Sequence, residues 1–325
     1  MTASQQLNNH EEQELPDRLP EGLEVSVVIP TYNRPVALHE CIQALCQQTI
    51  SPDRFEIVVV DDGSQKPVEL TWSEQEAAPL TPPRPRIRIV RQENAGPAAA
   101  RNRGAVMASG TFIAFTDDDC LPHPNWLENL LVGAASNPDS LLGGTTLNGL
   151  SNDLLAEANQ LILDLVYDHF NGNHDEATFL TSNNWLVPRN RFLEIGGFDE
   201  EFRRAGGEDR DFCDRWRFDN RRIVWIDEAR VEHRHGQTLW KFIQLYYCYG
   251  IGAKVYHRKR RSRKSGSFGD DLSFHKGVFR RLPSYLGRYP GMYAKARLIA
   301  ALGVWQLANM SGFITETIFR KARNK

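Results

Sequence analysis

Residues 111–122 read TFIAFTDDDCLP: an apolar run with the pattern of a buried strand, cut off by three consecutive carboxylates, Asp117, Asp118 and Asp119. Ionised side by side at neutral pH, such groups repel one another unless a cation or solvent compensates. The same strand logic recurs upstream. EVSVVIP (24–30) is a short β-branched run ended by Pro30, and EIVVVDDGS (56–64) runs into Asp61 and Asp62. Between and after them, VALHECIQALCQQ from Val36 has helical spacing, and RIRIVRQ (86–92) reads as a strand. GPAAARNRGAVMAS (96–109) sets Pro97 at a first helical position with Ala-rich content beyond it.

Alternating strands and helices predict an α/β fold, a Rossmann-like, mostly parallel sheet flanked by helices on both faces. Ligands in such sheets gather beyond the carboxyl ends of the strands. Pro30, Thr31, Tyr32 and Asn33, then Asp61 to Ser64, then Asp117 to Asp119 all fall there, so three polar clusters should converge on one crevice.

Farther along, LLGGTTLNG (141–149) reads as a strand, DLLAEANQLILDLVYDHF from Asp153 as a long amphipathic helix, and ATFLTSNNWLVPR (177–189) as a strand with a polar middle. GGFDEEFRRAGGEDRDFCDRW (196–216) supplies a Gly-rich loop and a helix beginning near Glu208, and RRIVWID (221–227) closes the strand series. Past His235 the pattern turns helical, broken by the basic run HRKRRSRK (257–264), which puts a boundary near residue 236. No internal repeat is present.

Length and composition fit this outline. A chain of 325 residues, 41% hydrophobic and 25% charged, is a folded globular protein of one large domain with an appendage, or of two modest domains. Its net charge of -2 conceals an acidic start, and residues 1–24 read as a disordered acidic tail with neither signal-peptide nor transit-peptide character. Five cysteines without a CxxC pair suggest neither a disulfide framework nor a zinc site, and a reducing cytoplasm suits them.

Each cluster has a plain structural reading beside a chemical one. Asp is common where strands end, and Asp61, Asp62, Gly63 and Ser64 make an ordinary turn. Carboxylates at i and i+2 can also share a hard cation that keeps open positions for phosphate oxygens. Asp61 or Asp62 could accept from a base N–H or a ribose hydroxyl, with Tyr32 as a stacking face. No GxxxxGK[ST] occurs, and the absence of a GxGxxG after the first strand lowers the dinucleotide reading. Glu208 and Asp209 favour a helix N-terminus through the dipole alone, yet they follow a Gly-rich loop where a second substrate can approach.

Taken in order, VSVVIPTYNR, EIVVVDDGS, GPAAARNRG, FIAFTDDD and GGEDRDF resemble the inverting family 2 glycosyltransferases of the GT-A fold, over residues 25–235. The resemblance implies a nucleotide-sugar donor held by Pro30, Thr31, Tyr32, Asn33, Asp61 and Asp62. It implies that Asp117 and Asp119, the outer positions of a DxD motif, meet the ribose and a divalent ion, Mn²⁺ or Mg²⁺, with Asp118 between them. It further implies that Asp209, paired with Glu208, is the general base, and that His233 in VEHRH (231–235) contacts the metal or diphosphate, with His235 two residues away. A metal bound by Asp119, Asp117 and His233 would relieve the repulsion among the three carboxylates. The processive synthases of the family carry QxxRW. Here Arg215-Trp216 is preceded at that spacing by Phe212, so single transfer is expected, as is a role in surface polysaccharide or glycoconjugate synthesis.

The acceptor implied is a saccharide or a lipid-linked saccharide. LIAALGVWQLANMSGFITETIF (298–319) is long enough to span a bilayer, but its polar residues make it better suited to lying in the interface, and HRKRRSRK could add attraction to an anionic membrane surface. A helix packed on the catalytic domain beside a solvated charge run is the competing reading. Residues 236–325 are thus a helical extension, and the location is cytoplasmic, at the membrane face if the extension attaches. Two rival functions are a nucleotide-sugar-binding protein without catalysis and a nucleic-acid-binding protein using the basic run. The second leaves the carboxylates unexplained, and no nucleic acid is expected.

Overall fold

The computed structural model describes residues 22–70, 84–204, 206–266 and 268–323. The acidic tail up to residue 21, and residues 71–83 of the Pro- and Glu-rich excursion, lie outside them.

β1 (Val25–Thr31) and β2 (Phe55–Asp61) are buried along nearly their whole length, which is why both read as continuous β-branched runs and not as an alternation. They pair in parallel, and β2 pairs in parallel with β3 (Arg86–Arg91), a half-exposed strand at the sheet edge. On its other side β1 pairs in parallel with β4 (Phe112–Thr116). The order therefore reverses between β1 and β4, the topological switch point at which α/β sheets bind ligands. The β1–β4 ladder stops at Val28, so Pro30 and Thr31 project past it into the crevice, where the missing proline N–H breaks no ladder to β4.

Beyond β4 the sheet changes character. Including β5 (Cys120–Pro122), β6 (Leu141–Asn148), β7 (Asn184–Pro188) and β8 (Ile223–His233), the order is β3-β2-β1-β4-β7-β6-β8-β5. β7 runs antiparallel to both neighbours, β5 is antiparallel to β8, and β6 and β8 are parallel. One face is covered by α1 (Pro35–Leu45) and α3 (Trp126–Ser136), the other by α2 (Pro97–Met107), α5 (Arg189–Glu194) and α6 (Glu208–Phe218). Pro97 stands at the start of α2, as its fixed φ predicts.

A third apolar cluster joins α4 (Leu154–Phe170) to α7 (Leu239–Arg263), α8 (Phe268–Leu286) and α9 (Met292–Arg323). The side chain of Asp153 caps α4 by accepting from the Leu155 and Ala156 N–H groups. Helices α7 and α9 approach so closely that a methyl group on Gly250 or Gly312 would overlap the partner backbone.

Three readings need correction. The strand expected over 177–189 is limited to Asn184–Pro188, because Asn171 Oδ1 takes the Thr178 and Phe179 N–H groups and Tyr167 Oη takes that of Thr181, which removes them from the ladder. The last strand does not end at Asp227 but runs on to His233, held by β5. The basic run is not a free patch. Arg258 and Lys259 pair with Glu201, Lys259 also with Asp199, while Arg260 and Arg263 pair with Asp214 and Arg263 with Asp211. Much of its charge is spent fastening α7 to α6 and the loop before it, which weakens both the headgroup and the nucleic-acid readings. The segment after Leu298 packs one side of its helix and leaves apolar residues on the other. Leu298, Ala301, Leu302, Trp305 and Ala308 are buried, while Ile299, Leu307, Met310, Ile314 and Ile318 are exposed on the same helix. Met292–Ile318 is long and apolar enough to cross a membrane by length and composition alone, with mean hydropathy 1.4.

Candidate active site

At the switch point, the three carboxylates have three different sets of partners. Asp117 accepts from Arg101 Nη2 at 2.7 Å. Asp118 is buried and accepts from Thr31 Oγ1 at 2.7 Å and Arg34 Nη1 at 3.1 Å, a hydrogen bond that ties β1 to the end of β4. Asp119 lies 2.7 Å from Arg34 Nη1, 3.2 Å from His233 Nε2 and 2.9 Å from His235 Nδ1. The protein's own cations therefore already separate the charges that sequence reasoning assigned to a metal. Neither Arg34 nor Arg101 was singled out there, because an Arg near a helix start carries no signal until the fold aims it.

The electrostatics follow the partners. Burial and the adjacent Asp119 charge push the Asp118 carboxyl up to about 6, against the pull of Arg34 and Thr31. Burial alone would raise Asp119 too, but His233, His235 and Arg34 overcome it and hold the group well below the usual carboxylate range. His233 responds in kind: burial would lower it, and the Asp119 charge raises it.

One carboxylate oxygen of Asp119 and one nitrogen each of His233 and His235 lie within 4.8 Å of one another, a group that could hold a metal ion. Two imidazoles and a carboxylate are a donor set suited to a divalent transition metal. Asp117, expected as a metal ligand, stands outside this triplet because its carboxylate is turned to Arg101. His235, two residues past the expected His233, joins it because the Arg234 N–H donates to the Asp119 carbonyl and carries the β5–β8 pairing one step past β8, keeping the chain beside Asp119.

Of the other residues expected to hold a donor, Pro30, Thr31, Tyr32 and Asp62 line the same cavity as Asp117, Asp118 and Asp119, a space of about 1190 Å³. Tyr32 is half exposed, its ring open to the crevice. Asp62 accepts from the Ala95 and Gly96 N–H groups at 2.9 Å each and so sets the loop entering α2. Asp61 and Asn33 do not line the cavity. Asp61 is buried beneath the turn, accepting from the Ser64 and Val68 N–H groups and paired with Arg91. Burial would raise it, yet these partners, Ser64 foremost, lower it, which is the plain turn reading made real. Asn33 adopts φ 55° and uses its side chain on the Gln65 N–H.

Also lining the cavity is the start of α6, which begins at Glu208 after Gly206 and Gly207, both at positive φ. Glu208 is buried, accepting from the Gly206 N–H at 2.7 Å and facing Arg101 Nη1 at 3.4 Å. Burial and the charge of Asp209 push it up to about 7. Arg101, itself buried, thus bridges Asp117 at the strand end and Glu208 at the helix start. Asp209 is half-buried and lines the cavity; its recess raises its pKa, against the Arg210 N–H that bonds it at 2.8 Å and the charge of Arg101. Both line the cavity, Glu208 buried and Asp209 half-buried, although the two are adjacent in sequence.

The chain is similar to known proteins in sequence and in fold. Residues 26–196, more than half of the chain, match the model for glycosyl transferase family 2, and residues 162–236 match that described as the N-terminal domain of galactosyltransferase. Glycosyltransferase AglE of Haloferax volcanii is 35% identical over 121 residues, covering 37% of this chain and 38% of that protein. Validoxylamine A glucosyltransferase of Streptomyces hygroscopicus subsp. limoneus is 30% identical over 213 residues, 57% of this chain and 46% of that protein. The matches thus span less than half the length of either relative. Glucosyl-dolichyl phosphate glucuronosyltransferase of Haloferax volcanii is 27% identical over 228 residues, 65% of this chain and 69% of that protein. In structure, residues 1–349 of S. aureus TarS superpose with a TM-score of 0.51 at 18% identity over 92% of both chains, a likeness of GT-A fold. The chain belongs to glycosyl transferase family 2.

Proposed function

We propose that this family 2 glycosyltransferase moves a sugar from a nucleotide-diphosphate sugar to an acceptor hydroxyl with inversion, Asp209 acting as general base. The observation that carries the reading is that one cavity is lined both by a half-buried carboxylate with a raised pKa, Asp209, and by the Asp119, His233 and His235 group. In it, Tyr32 and Asp62 face the nucleoside and Asp117 the ribose. Asp209 takes the proton of the acceptor hydroxyl as that oxygen attacks the anomeric carbon, whose transition state carries oxocarbenium character. Glu208 positions Arg101, which keeps Asp117 oriented at the donor. Asp119, His233 and His235 would hold Mn²⁺ in preference to Mg²⁺, which favours oxygen ligands throughout. Such an ion supplies positive charge to the departing diphosphate.

The reading includes a place in surface polysaccharide or glycoconjugate synthesis at the cytoplasmic face of a membrane, with the exposed apolar side of α9 in the interface. The relative named for a dolichyl phosphate substrate supports a lipid-linked acceptor as one option.

Asp209→Asn removes the proton acceptor and keeps the shape. Transfer falls by about 10²–10⁴-fold, while binding of a nucleoside diphosphate in the presence of Mn²⁺, measured by calorimetry, stays within experimental scatter. Wild-type transfer by the variant excludes Asp209 as base; intact binding with no transfer to any acceptor by the wild type favours the purely binding alternative.

A further inference from the structure

The regions shared with known families end at residue 236 and α7 begins at Leu239, yet α7 reaches the cavity of Asp209. Tyr249 lines that cavity and is 38% exposed. Its place is fixed by close backbone contacts. A methyl group on Gly206 would fall 2.4 Å from Tyr249 Cδ1, one on Gly252 would fall 1.8 Å from the Gly206 carbonyl oxygen, and one on Gly250 would fall 2.0 Å from that of Asn309. Two glycines within the stretch YGIG (249–252) weaken a helix interior. Here they let α7 press on the Gly206 loop and on α9 at once, and Tyr249 is the side chain this contact delivers to the cavity. The ring rests edge-on against Tyr246, centroids 5.4 Å apart, and the Tyr246 hydroxyl is itself held by Asn159 Oδ1 at 2.8 Å.

The Tyr249 hydroxyl is placed differently. Among the described residues the phenols of Tyr167, Tyr246, Tyr285 and Tyr289 are hydrogen-bonded, whereas that of Tyr249 has no partner. Recess, then Tyr246 and the charges of Asp209, Glu208 and Asp117, raise its pKa, so the group stays protonated and can donate. A fixed aromatic face with an unspent hydroxyl, in a cavity also lined by the amides of Asn159, Gln306 and Asn309, suits a ring that is apolar on its faces and polar at its rim, as a pyranose is. Tyr249 stands at the end of the cavity where the base is, because it packs on Gly206, whose N–H is bonded by Glu208 and which leads into Asp209. We propose that Tyr249 is a specificity-determining residue of the transfer reaction, its ring supporting the acceptor sugar and its hydroxyl bonding one hydroxyl of that sugar while Asp209 deprotonates another. The inference rests on the transferase reading above and gives the carboxyl-terminal extension a share in acceptor choice.

The test is calorimetric titration of the intact protein, saturated with Mn²⁺ and whichever of UDP and GDP it binds, with the methyl glycosides of glucose, galactose, mannose and N-acetylglucosamine. At least one binds, and Tyr249→Phe weakens it by roughly three- to tenfold, the worth of one hydrogen bond. Tyr249→Ala, which removes the ring as well, weakens it by roughly tenfold or more. Monodeoxy derivatives of that glycoside give a readout that a merely structural role would not move. The derivative lacking the hydroxyl held by Tyr249 binds wild type and Tyr249→Phe alike, while the others keep the difference. Nucleotide binding is unchanged in both variants, which also reports that they fold. If a protein that holds the nucleotide binds none of the four glycosides, the inference is overturned. It is overturned equally by the same glycoside affinity in wild type and Tyr249→Phe, by a Tyr249→Phe loss that persists with every deoxy derivative, or by a matching loss of nucleotide affinity. Failure of the wild type to bind either nucleotide counts against the transferase reading itself.

Discussion

Replacing Arg101 with Met tests the bridge between the two sides of the site. The guanidinium lies 2.7 Å from Asp117 and 3.4 Å from Glu208, and both it and Glu208 are only 5% exposed. Met keeps most of the volume and removes the charge. Breaking a buried pair by deleting one partner costs about 3–5 kcal/mol, since the survivor is left uncompensated. Glu208 has an escape, because burial and Asp209 have already pushed its pKa up to about 7, and it can take a proton. Losing Arg101 raises it further, and each extra unit corresponds to about 1.4 kcal/mol. A carboxyl whose folded pKa lies above its unfolded value binds more protons in the fold, so stability declines as pH rises from the unfolded value to the folded one. For the wild type this decline ends near pH 7; for the variant it continues above that. The stability deficit of Arg101→Met, from urea denaturation, should therefore be larger at about pH 9 than at about pH 6, by about 1–3 kcal/mol if the shift is one to two units. A deficit that is the same at both pH values, or larger at the lower one, refutes a buried Glu208 held by Arg101.

Four more outcomes follow from the same structure. Asp119→Ala should weaken nucleoside diphosphate binding in the presence of Mn²⁺ and make activity indifferent to which ion is supplied; a wild-type enzyme that keeps full activity in chelator denies the Asp119, His233 and His235 group a metal role. Because recess raises the pKa of Asp209 above the ordinary carboxylate range, kcat/KM should fall as pH drops through that raised value and recover above it, and a profile flat down to about pH 4, the normal carboxylate value, would exclude this. Gly252→Ala places a methyl group against the carbonyl of Gly206, so thermal unfolding should report a loss of about 1–3 kcal/mol with reduced transfer. Gly303→Ala, with nothing within 4 Å of the added methyl, should be neutral or up to about 1 kcal/mol stabilising; if the two behave alike, α7 does not brace the Gly206 loop.

Much of the architecture is local information and could be read from the chain. Largely β-branched runs mark β1 and β2, and an apolar run marks β4, because a strand buried on both faces has little polar side to show. Pro97 and Glu208 mark the starts of α2 and α6 because a missing N–H or a negative charge is tolerated or favoured only there. The convergence of Thr31, Asp62 and Asp117 to Asp119 was legible as well, since parallel strands deliver all their carboxyl ends to one edge. What remained hidden depends on where side chains far apart in sequence meet. Asp61 and Asp62 look equivalent as letters, but one is turned beneath its turn and the other toward the loop before α2. His235 reaches Asp119 across 116 positions, and Arg101 reaches Glu208 across 107. Spacing along a strand or helix says nothing about such pairs, because they are set by how the elements pack. The basic run made the same point in reverse: as sequence it resembles a free polycation, and only packing against Asp199, Glu201, Asp211 and Asp214 turns it into a fastening. Amino-acid order determined which segments are strands and helices and which edge of the sheet is chemical, because those depend on near neighbours; the tertiary structure alone decided which charge faces which, because Coulomb and hydrogen-bond energies depend on distance in space.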